Sequence, residues 1–185
     1  PCLEIDPYIF AESLKKFSFA ANITIQGRKT NEKVIIESVN LMKKYFKLIS
    51  KKPKKISILG LAFKGNPETA DLRGSTVYPL IRSLRKNFSK VNIYGFDYVV
   101  NKNEMINMNL KYLNEIDQAF KNSDLVIFHN NNNKFKKLNI NKIFRVMNSN
   151  SLIYDFWSLF NINQNKNISK KYFSLGRRFL LEEPK

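Results

Sequence analysis

Cysteine and histidine each occur only once in this chain, as Cys2 and His129. A single cysteine cannot form an intramolecular disulfide, which suits a reducing compartment. One cysteine and one histidine also fall short of a Cys/His zinc site, so no metal is expected. No apolar run reaches the roughly 18–20 residues that cross a bilayer, and no signal peptide is recognisable. These scarcities predict a soluble, cytoplasmic protein.

Acidic residues are also few: 15 Asp and Glu stand against 32 Lys and Arg, a formal net charge of +17. Lysine and asparagine are both frequent, as in the run Asn130–Asn133, and this pattern indicates an AT-rich coding sequence rather than a function. The basic residues are neither ordered into a helical stripe nor interleaved with stacking aromatics, so specific nucleic-acid binding is not expected. A positive field would still attract an anionic small substrate.

The length of 185 residues and the 43% hydrophobic content predict one packed domain with a short additional element. Because the first residue is not methionine, we expect a piece of a longer chain. Apolar residues recur at helical spacing before Pro53 and predict a long amphipathic helix from about Ala20 to Ile49. Pro53 disfavours helix in the residue before it and so ends this helix.

Beyond Pro53, short apolar runs alternate with helical segments, which predicts an α/β fold with a Rossmann-like parallel sheet. One helix, "TVYPLIRSLRKNF", is predicted to begin at the N-cap residue Ser75, and "LNEIDQAFKNS" is predicted as a shorter helix. The five predicted strands are "KISILGLAF", "KVNIYGFD", "DLVIFHN", "SLIYDFW" and "KYFSLG".

The segment "GLAFKGNPETADLRGS" after the first strand lies where parallel sheets bind ligands. Gly60, Ala62 and Gly65 imitate a dinucleotide fingerprint, with Asp97 in the place of its ribose-binding acid. The match is poor, because Ala62 stands where a bare backbone should approach the pyrophosphate and the next helix starts late. A plain NAD-binding domain therefore remains an alternative interpretation.

Two motifs, taken together, resemble the UDP-glucose/GDP-mannose dehydrogenase family. "ILGLAFKGNPETADLRGS" is similar to its G-x-x-F-K loop followed by D-x-R-x-S, and "PCLEIDPYIF" is similar to its catalytic C-x-x-x-D-P segment. "GRKTNEKV" matches its helical R-x-x-N segment, and "DLVIFHNNNNKF" and "LIYDFW" match its later strands. The resemblance covers nearly the whole chain in the family's order.

The resemblance implies an NAD-dependent UDP-sugar 6-dehydrogenase that serves surface polysaccharide synthesis. Residues 1–52 would belong to a central, dimerising helical domain, and residues 53–185 would form the C-terminal UDP-sugar-binding domain. NAD would be bound mainly by an N-terminal domain, so the fragment alone should be inactive. The long helix would form a homodimer interface. A non-catalytic nucleotide-sugar-binding or dimerisation module is the alternative.

The resemblance also assigns roles to residues. Cys2 and Asp6 would be catalytic: a thiolate captures the aldehyde, and a carboxylate manages protons and water. Phe63 and Lys64 would contact the nucleotide sugar, and Arg73 would reach toward the cofactor. The simpler interpretations are an inert cysteine, a solvated lysine and an arginine that only pairs with its neighbours.

The chain departs from the family near the fourth strand. Glucose-specific members carry D-G-R there, whereas this chain has Asp155, Phe156 and Trp157. Losing the arginine fork changes which hydroxyls can be recognised. The departure favours a UDP-N-acetylhexosamine as substrate, although both aromatics would equally suit packing under the sheet. His129 lies at a strand end without an identifiable partner, and a structural role is expected for it.

Overall fold

The computed structural model describes residues 2–17, 22–162 and 171–176. Two helices precede the sheet: α1 spans Cys2–Leu14 and α2 spans Asn22–Leu48, with a short 3-10 turn after α1. The predicted long helix is present as α2, which ends one residue before Ile49. Ala20, its predicted start, lies outside the described residues.

Six parallel strands form one sheet in the order β3-β2-β1-β4-β5-β6. The predicted α/β class and Rossmann-like parallel sheet are therefore confirmed. The strands are β1 (Lys55–Leu59), β2 (Asn92–Phe96), β3 (Lys111–Tyr112), β4 (Leu125–Phe128), β5 (Leu152–Asp155) and β6 (Tyr172–Ser174). The helices between them are α3 (Val77–Asn87), α4 (Lys102–Asn107), α5 (Ile116–Phe120) and α6 (Ile140–Val146).

Three of these elements are absent from the sequence prediction: α4, β3 and α6. All three are short, between two and seven residues, so none contains enough turns or alternations to give a periodic signal. Asparagine caps begin both helices: the Asn101 side chain accepts a hydrogen bond from the Glu104 N–H, and the Asn139 side chain accepts one from the Lys142 N–H.

The start of α3 differs from the prediction by one residue. Its N-cap is Thr76, not Ser75. The Ser75 hydroxyl donates instead to the Leu61 carbonyl at 2.6 Å and accepts a hydrogen bond from the Val77 N–H at 3.2 Å. This serine is buried and ties the beginning of α3 to the segment that leaves β1.

Helices cover both faces of the sheet. Successive residues of a strand point to opposite faces, so one strand contributes side chains to both cores. Ile56 and Ile58 of β1 pack in a core with the second half of α2 and with α3, whereas Leu59 packs on the other face with α5 and α6. Both faces are therefore dry, which explains the almost uninterrupted apolar sequences of the central strands.

Within the described ranges, no helix combines the length and the apolar character needed to cross a membrane.

Candidate functional site

The strand order reverses between β1 and β4, which are hydrogen-bonded neighbours. The chain leaving β1 crosses through α3 to β2, and the chain leaving β4 crosses through α6 to β5 on the other face. The crossovers that leave the two strands therefore lie on opposite faces of the sheet, which marks the carboxyl ends of β1 and β4 as the place where such sheets bind ligands. We call this region the switch-point edge and define it by residues 60–76, 97–100, 129–134 and 155–157.

The loops after β1 and β4 are in very close contact. A Cβ atom built on Gly60 would lie 2.2 Å from the Asn130 side-chain oxygen, and Gly60 also has a positive φ of 81°. A Cβ atom on Gly65 would lie 2.3 Å from the Asn132 backbone nitrogen. Both glycines are thus required by the approach of the β4 loop, and neither leaves an open cradle for a ligand.

The asparagine tract holds the β1 loop through side-chain amides. The Asn131 side-chain oxygen accepts hydrogen bonds from the Gly65 N–H at 2.8 Å and the Asn66 N–H at 3.1 Å. The Asn132 amide donates to Glu68 at 3.0 Å. The composition indicates a coding bias, and these contacts show in addition that Asn131 and Asn132 have structural partners. The four asparagines are identical in sequence but differ in surroundings, since Asn133 is exposed while Asn130 and Asn132 are buried.

Replacing Asn131 with alanine is expected to lower the free energy of unfolding by about 1–2 kcal/mol, because two loop N–H groups lose their acceptor. The matched control is Asn133→Ala, which removes an exposed side chain from the same tract and should change stability by less than about 0.5 kcal/mol. Urea denaturation followed by circular dichroism measures both. Equal losses in the two variants would contradict the assigned role of Asn131.

Asp97, at the end of β2, is fully engaged by the backbone. One carboxylate oxygen accepts from the Leu61 N–H at 2.6 Å and the Ala62 N–H at 3.4 Å, and the other accepts from the Val99 N–H at 2.9 Å and the Val100 N–H at 3.2 Å. In a dinucleotide site, the loop N–H groups would face a pyrophosphate and the acid would face a ribose. Here they satisfy each other, so the loop does not fit the pyrophosphate of NAD.

His129 joins the β4 loop to both ends of the segment between β1 and α3. Its Nδ1 lies 2.8 Å from the Gly60 carbonyl oxygen, so Nδ1 carries the proton and donates. Its Nε2 lies 2.8 Å from the Thr76 hydroxyl and accepts a hydrogen bond from it. Burial lowers the pKa of His129 from its ordinary value of 6.5 to about 4, so the imidazole is neutral at pH 7. Gly60 and Thr76 are thus hydrogen-bond partners of His129, which the sequence did not reveal, and they suit the structural role predicted for it.

The β5 loop is attached to the same residue. The Trp157 indole N–H donates to the His129 carbonyl at 2.9 Å, and the Phe156 ring lies 6.0 Å from the imidazole between ring centroids. Phe156 packs against the core, as the packing interpretation predicts, but Trp157 remains 50% exposed. Trp157 therefore presents an aromatic surface at the switch-point edge instead of packing under the sheet.

Asp155 organises the turn that carries these aromatics. Its carboxylate is buried and accepts hydrogen bonds from the Tyr172 hydroxyl, from the Trp157 N–H at 2.8 Å and from the Leu159 N–H at 2.6 Å. Burial raises the pKa of this carboxyl above its ordinary value, although these hydrogen bonds oppose the shift. The Asp155 side chain thus satisfies backbone N–H groups of the loop that follows β5.

The residues predicted to contact substrate and cofactor lie in the β1 loop. Lys64 and Phe63 are both half-buried, and the Lys64 ammonium sits 5.2 Å from the centre of the Phe63 ring. Arg73 is 80% exposed and pairs with Asp71 at 2.7 Å, which holds the pKa of Asp71 down at about 2. The structure therefore places three cationic or aromatic side chains on one loop of the switch-point edge.

Cys2 and Asp6 lie elsewhere, in α1. Their backbone positions are separated by about one helical turn, the spacing that places residues i and i+4 on one face. Asp6 is exposed, and the side chain of Cys2 lies outside the described part of the structure. Helix α1 packs against α2, where the Tyr8 hydroxyl donates to Glu32 at 3.1 Å. The predicted site residues thus occupy two regions.

Comparison with known proteins supports this fold. Residues 57–162 match the sequence model of the UDP-glucose/GDP-mannose dehydrogenase family, UDP binding domain. The match covers more than half of the chain and spans every loop of the switch-point edge. The chain therefore belongs to the UDP-glucose/GDP-mannose dehydrogenase family, and the resemblance inferred from its motifs is confirmed.

Two curated relatives carry related names. A UDP-glucose 6-dehydrogenase from Rickettsia conorii is 29% identical over 130 residues, which cover 69% of this chain and 29% of the relative. A UDP-N-acetyl-D-mannosamine dehydrogenase from Methanococcus aeolicus is 28% identical over 170 residues, covering 88% and 34%. The chain thus spans about a third of the length of the curated relatives it matches.

A solved structure supports the fold. The UDP-D-ManNAc dehydrogenase from Pyrococcus horikoshii superposes with a TM-score of 0.73 at 22% identity, over 95% of this chain and 38% of that protein.

Proposed function

We propose that this chain is the UDP-sugar-binding part of a nucleotide-sugar 6-dehydrogenase, an oxidoreductase that converts the primary alcohol of a UDP-hexose into a uronate. The observation that carries the proposal is the match of residues 57–162 to a UDP-binding domain. That range includes the loops of the switch-point edge, where parallel sheets bind ligands. In this proposal, residues 53–185 bind the UDP-sugar, residues 1–52 belong to a central dimerising domain, and the product feeds surface polysaccharide synthesis.

Lys64 and Phe63 are proposed to hold the substrate. The diphosphate of a UDP-sugar is an anion, and a lysine that is half-buried beside an aromatic ring can bind it with less competition from water. The chain's excess of positive charge attracts the same anion over longer distances. Arg73 is exposed and already bound to Asp71, and we propose it as the contact to a cofactor held by another part of the enzyme.

Cys2 and Asp6 are proposed as the catalytic pair. An aldehyde formed at the sugar C6 would be captured by the Cys2 thiolate as a thiohemiacetal, and oxidation of that adduct gives a thioester. Water then cleaves the thioester, which releases the carboxylate and regenerates the thiol. Asp6, about one turn along α1, would take the proton from that water.

NAD is proposed as the hydride acceptor of the complete enzyme, as the family resemblance implies. The loop after β1 does not fit its pyrophosphate, because Asp97 and the asparagine tract already bind the backbone N–H groups there. We therefore assign the main NAD site to residues other than those of the switch-point edge.

A UDP-N-acetylhexosamine is the proposed substrate, with UDP-glucose as the alternative. Asp155 is followed by Phe156 and half-exposed Trp157, and no arginine stands at either position to read a hydroxyl bidentately. An aromatic surface suits an acetamido methyl group, provided that the amide finds a polar partner. Steady-state rates on UDP-glucose and on the UDP-N-acetylhexosamines distinguish the two, and a clear preference for UDP-glucose would contradict the proposal.

A homodimer through α2 is also proposed. Ile23 at the start of α2 is 90% exposed, and Ile5, Ile9 and Phe10 of the adjoining α1 are exposed as well. Apolar side chains concentrated on one helical pair are typical of an interface. Light scattering that gives a strictly monomeric mass at high concentration would refute this assembly.

The chain is expected to bind UDP more tightly than NAD, and Lys64→Ala is expected to weaken UDP binding about tenfold through loss of a charge-assisted hydrogen bond. Isothermal titration calorimetry measures both affinities. The control is Lys86→Ala, which removes an equal charge from the last turn of α3, away from the edge. Tighter binding of NAD than of UDP would favour a plain dinucleotide-binding domain and would contradict the proposed function.

A further inference from the structure

We propose that His129 is a positioning residue that fixes the separation of the loops holding the UDP-sugar. The proposal rests on the proposed function, since it concerns how the same edge binds its ligand. His129 has about 5% of its surface exposed, so it acts on a ligand through other groups. Besides the ladder bond from its N–H to the Leu59 carbonyl, three hydrogen bonds of His129 reach the beginning of the β1 loop, the N-cap of α3 and the β5 loop.

The two side-chain bonds fix both ends of one segment. Gly60 is the first residue after β1, and Thr76 is the N-cap of α3. The segment between them contains Phe63, Lys64 and Arg73. Because the imidazole is rigid and both its nitrogens are used, it sets the distance between the Gly60 carbonyl and the Thr76 hydroxyl. A flexible side chain in its place would allow that distance to vary.

The third bond extends the bridge to the β5 loop. The indole of Trp157 donates to the His129 backbone carbonyl, so the β5 loop is held to the same residue as the β1 loop. The Phe156 ring packs against the imidazole from that side. Since β1 and β5 flank β4, the bridge links three loops of the switch-point edge, at which the nucleotide is proposed to bind.

The charge state of His129 suits this role. A neutral imidazole donates from Nδ1 and accepts at Nε2, which matches a carbonyl and a hydroxyl as partners. It places no additional positive charge in the interior, so recognition of the anion is left to the cations of the β1 loop. Ser75 assists by donating to the Leu61 carbonyl, which holds the same segment at a second point.

The test uses the whole chain and UDP as the probe. Thr76→Val removes the hydroxyl and keeps the shape, whereas His129→Asn keeps a short amide that can donate to Gly60 but cannot reach Thr76. Each variant is expected to weaken UDP binding by about five- to twentyfold in calorimetry. The double variant should lose no more UDP affinity than the single variant that binds UDP more weakly, because both changes break the same hydrogen bond. Ser149→Ala, before β5 at the opposite edge of the sheet, is the hydroxyl-deletion control and should bind as the wild type does.

A spectroscopic readout separates positioning from a merely structural role. The chain contains a single tryptophan, so its fluorescence reports Trp157 alone. Thr76→Val is expected to shift the Trp157 emission, because the hydrogen bonds that connect Thr76 to Trp157 run through His129. Melting curves establish that each variant is folded at the temperature of titration, and Thr76→Val decides the matter if His129→Asn does not fold.

The possible outcomes are distinct. Wild-type UDP affinity and unchanged Trp157 emission in a folded Thr76→Val variant would overturn the positioning role and leave the proposed function intact. Losses that multiply in the double variant would also overturn it, because independent effects cannot come from one shared bond. A wild-type chain that does not bind UDP would refute the proposed function, and this proposal with it.

Discussion

Replacing Cys2 with alanine in the complete enzyme is expected to abolish uronate formation, with a loss on the order of a thousandfold or more. Alanine offers no nucleophile for the aldehyde, so neither the thiohemiacetal nor the thioester can form. Serine at this position should fail almost as completely, because a hydroxyl lacks the low pKa of a thiol and is rarely ionised at neutral pH. The measurement is the rate of uronate production with the preferred UDP-hexose.

Two controls make this prediction specific. UDP should bind the Cys2→Ala variant with unchanged affinity, because the nucleotide is assigned to the switch-point edge and not to α1. Asp6→Asn should retain aldehyde capture but slow the hydrolysis of the thioester, so a covalent adduct on Cys2 should accumulate and be visible by intact-protein mass spectrometry. Normal uronate formation by Cys2→Ala would eliminate the covalent mechanism.

The stability of the protein should fall by about 3 kcal/mol more between pH 7 and pH 4 than that of a His129→Asn variant. The pKa of His129 is lowered by burial from 6.5 to about 4 in the folded protein. Between pH 6.5 and pH 4 the unfolded chain binds a proton at this imidazole that the folded chain does not bind, so the free energy of unfolding declines as the pH falls. A separation of about 2.5 units at 1.36 kcal/mol per unit gives the magnitude of about 3 kcal/mol.

Comparison with the variant isolates the histidine from the carboxyl groups. Asp71, Asp124 and Glu68 have lowered pKa values and also cost stability in acid, but they are present in both proteins. Urea midpoints measured at intervals between pH 7 and pH 4 provide the two profiles. Parallel profiles would show that His129 is accessible to protons in the folded protein and would contradict its burial.

The sheet could be predicted from sequence because its central strands are apolar on both faces. Val126 and Ile127 pack in different cores, on opposite faces of the sheet, so every residue of the run "LVIF" is buried on one face or the other. The short β3 strand escaped prediction because its two residues are exposed and give no apolar signal. The caps of α4 and α6 are asparagines, and because asparagine is frequent throughout the sequence, these two positions do not stand out as helix starts.

A linear motif can nominate candidate site residues, but it does not reveal which distant residues contact them. Phe63 and Lys64 follow directly from a strand end, whereas the partners of His129 lie 53 and 69 residues away in the sequence. No local pattern reveals contacts at such separations, since they depend on which strands become neighbours. Asp97 illustrates the same limit: its position suggested a ribose-binding acid, yet its carboxylate is occupied by four backbone N–H groups.

The asparagine tract also determines which mutations the gene can tolerate. Asparagine and lysine codons differ only in the third base, so this exchange is a short mutational step in the AT-rich coding sequence that the composition indicates. At exposed Asn133, lysine would add one more charge to an already basic surface. At Asn131, lysine would remove the oxygen that accepts from Gly65 and Asn66 and would bring an ammonium toward two N–H donors. Substitution of asparagine by lysine should therefore be accepted much more often at Asn133 than at Asn131.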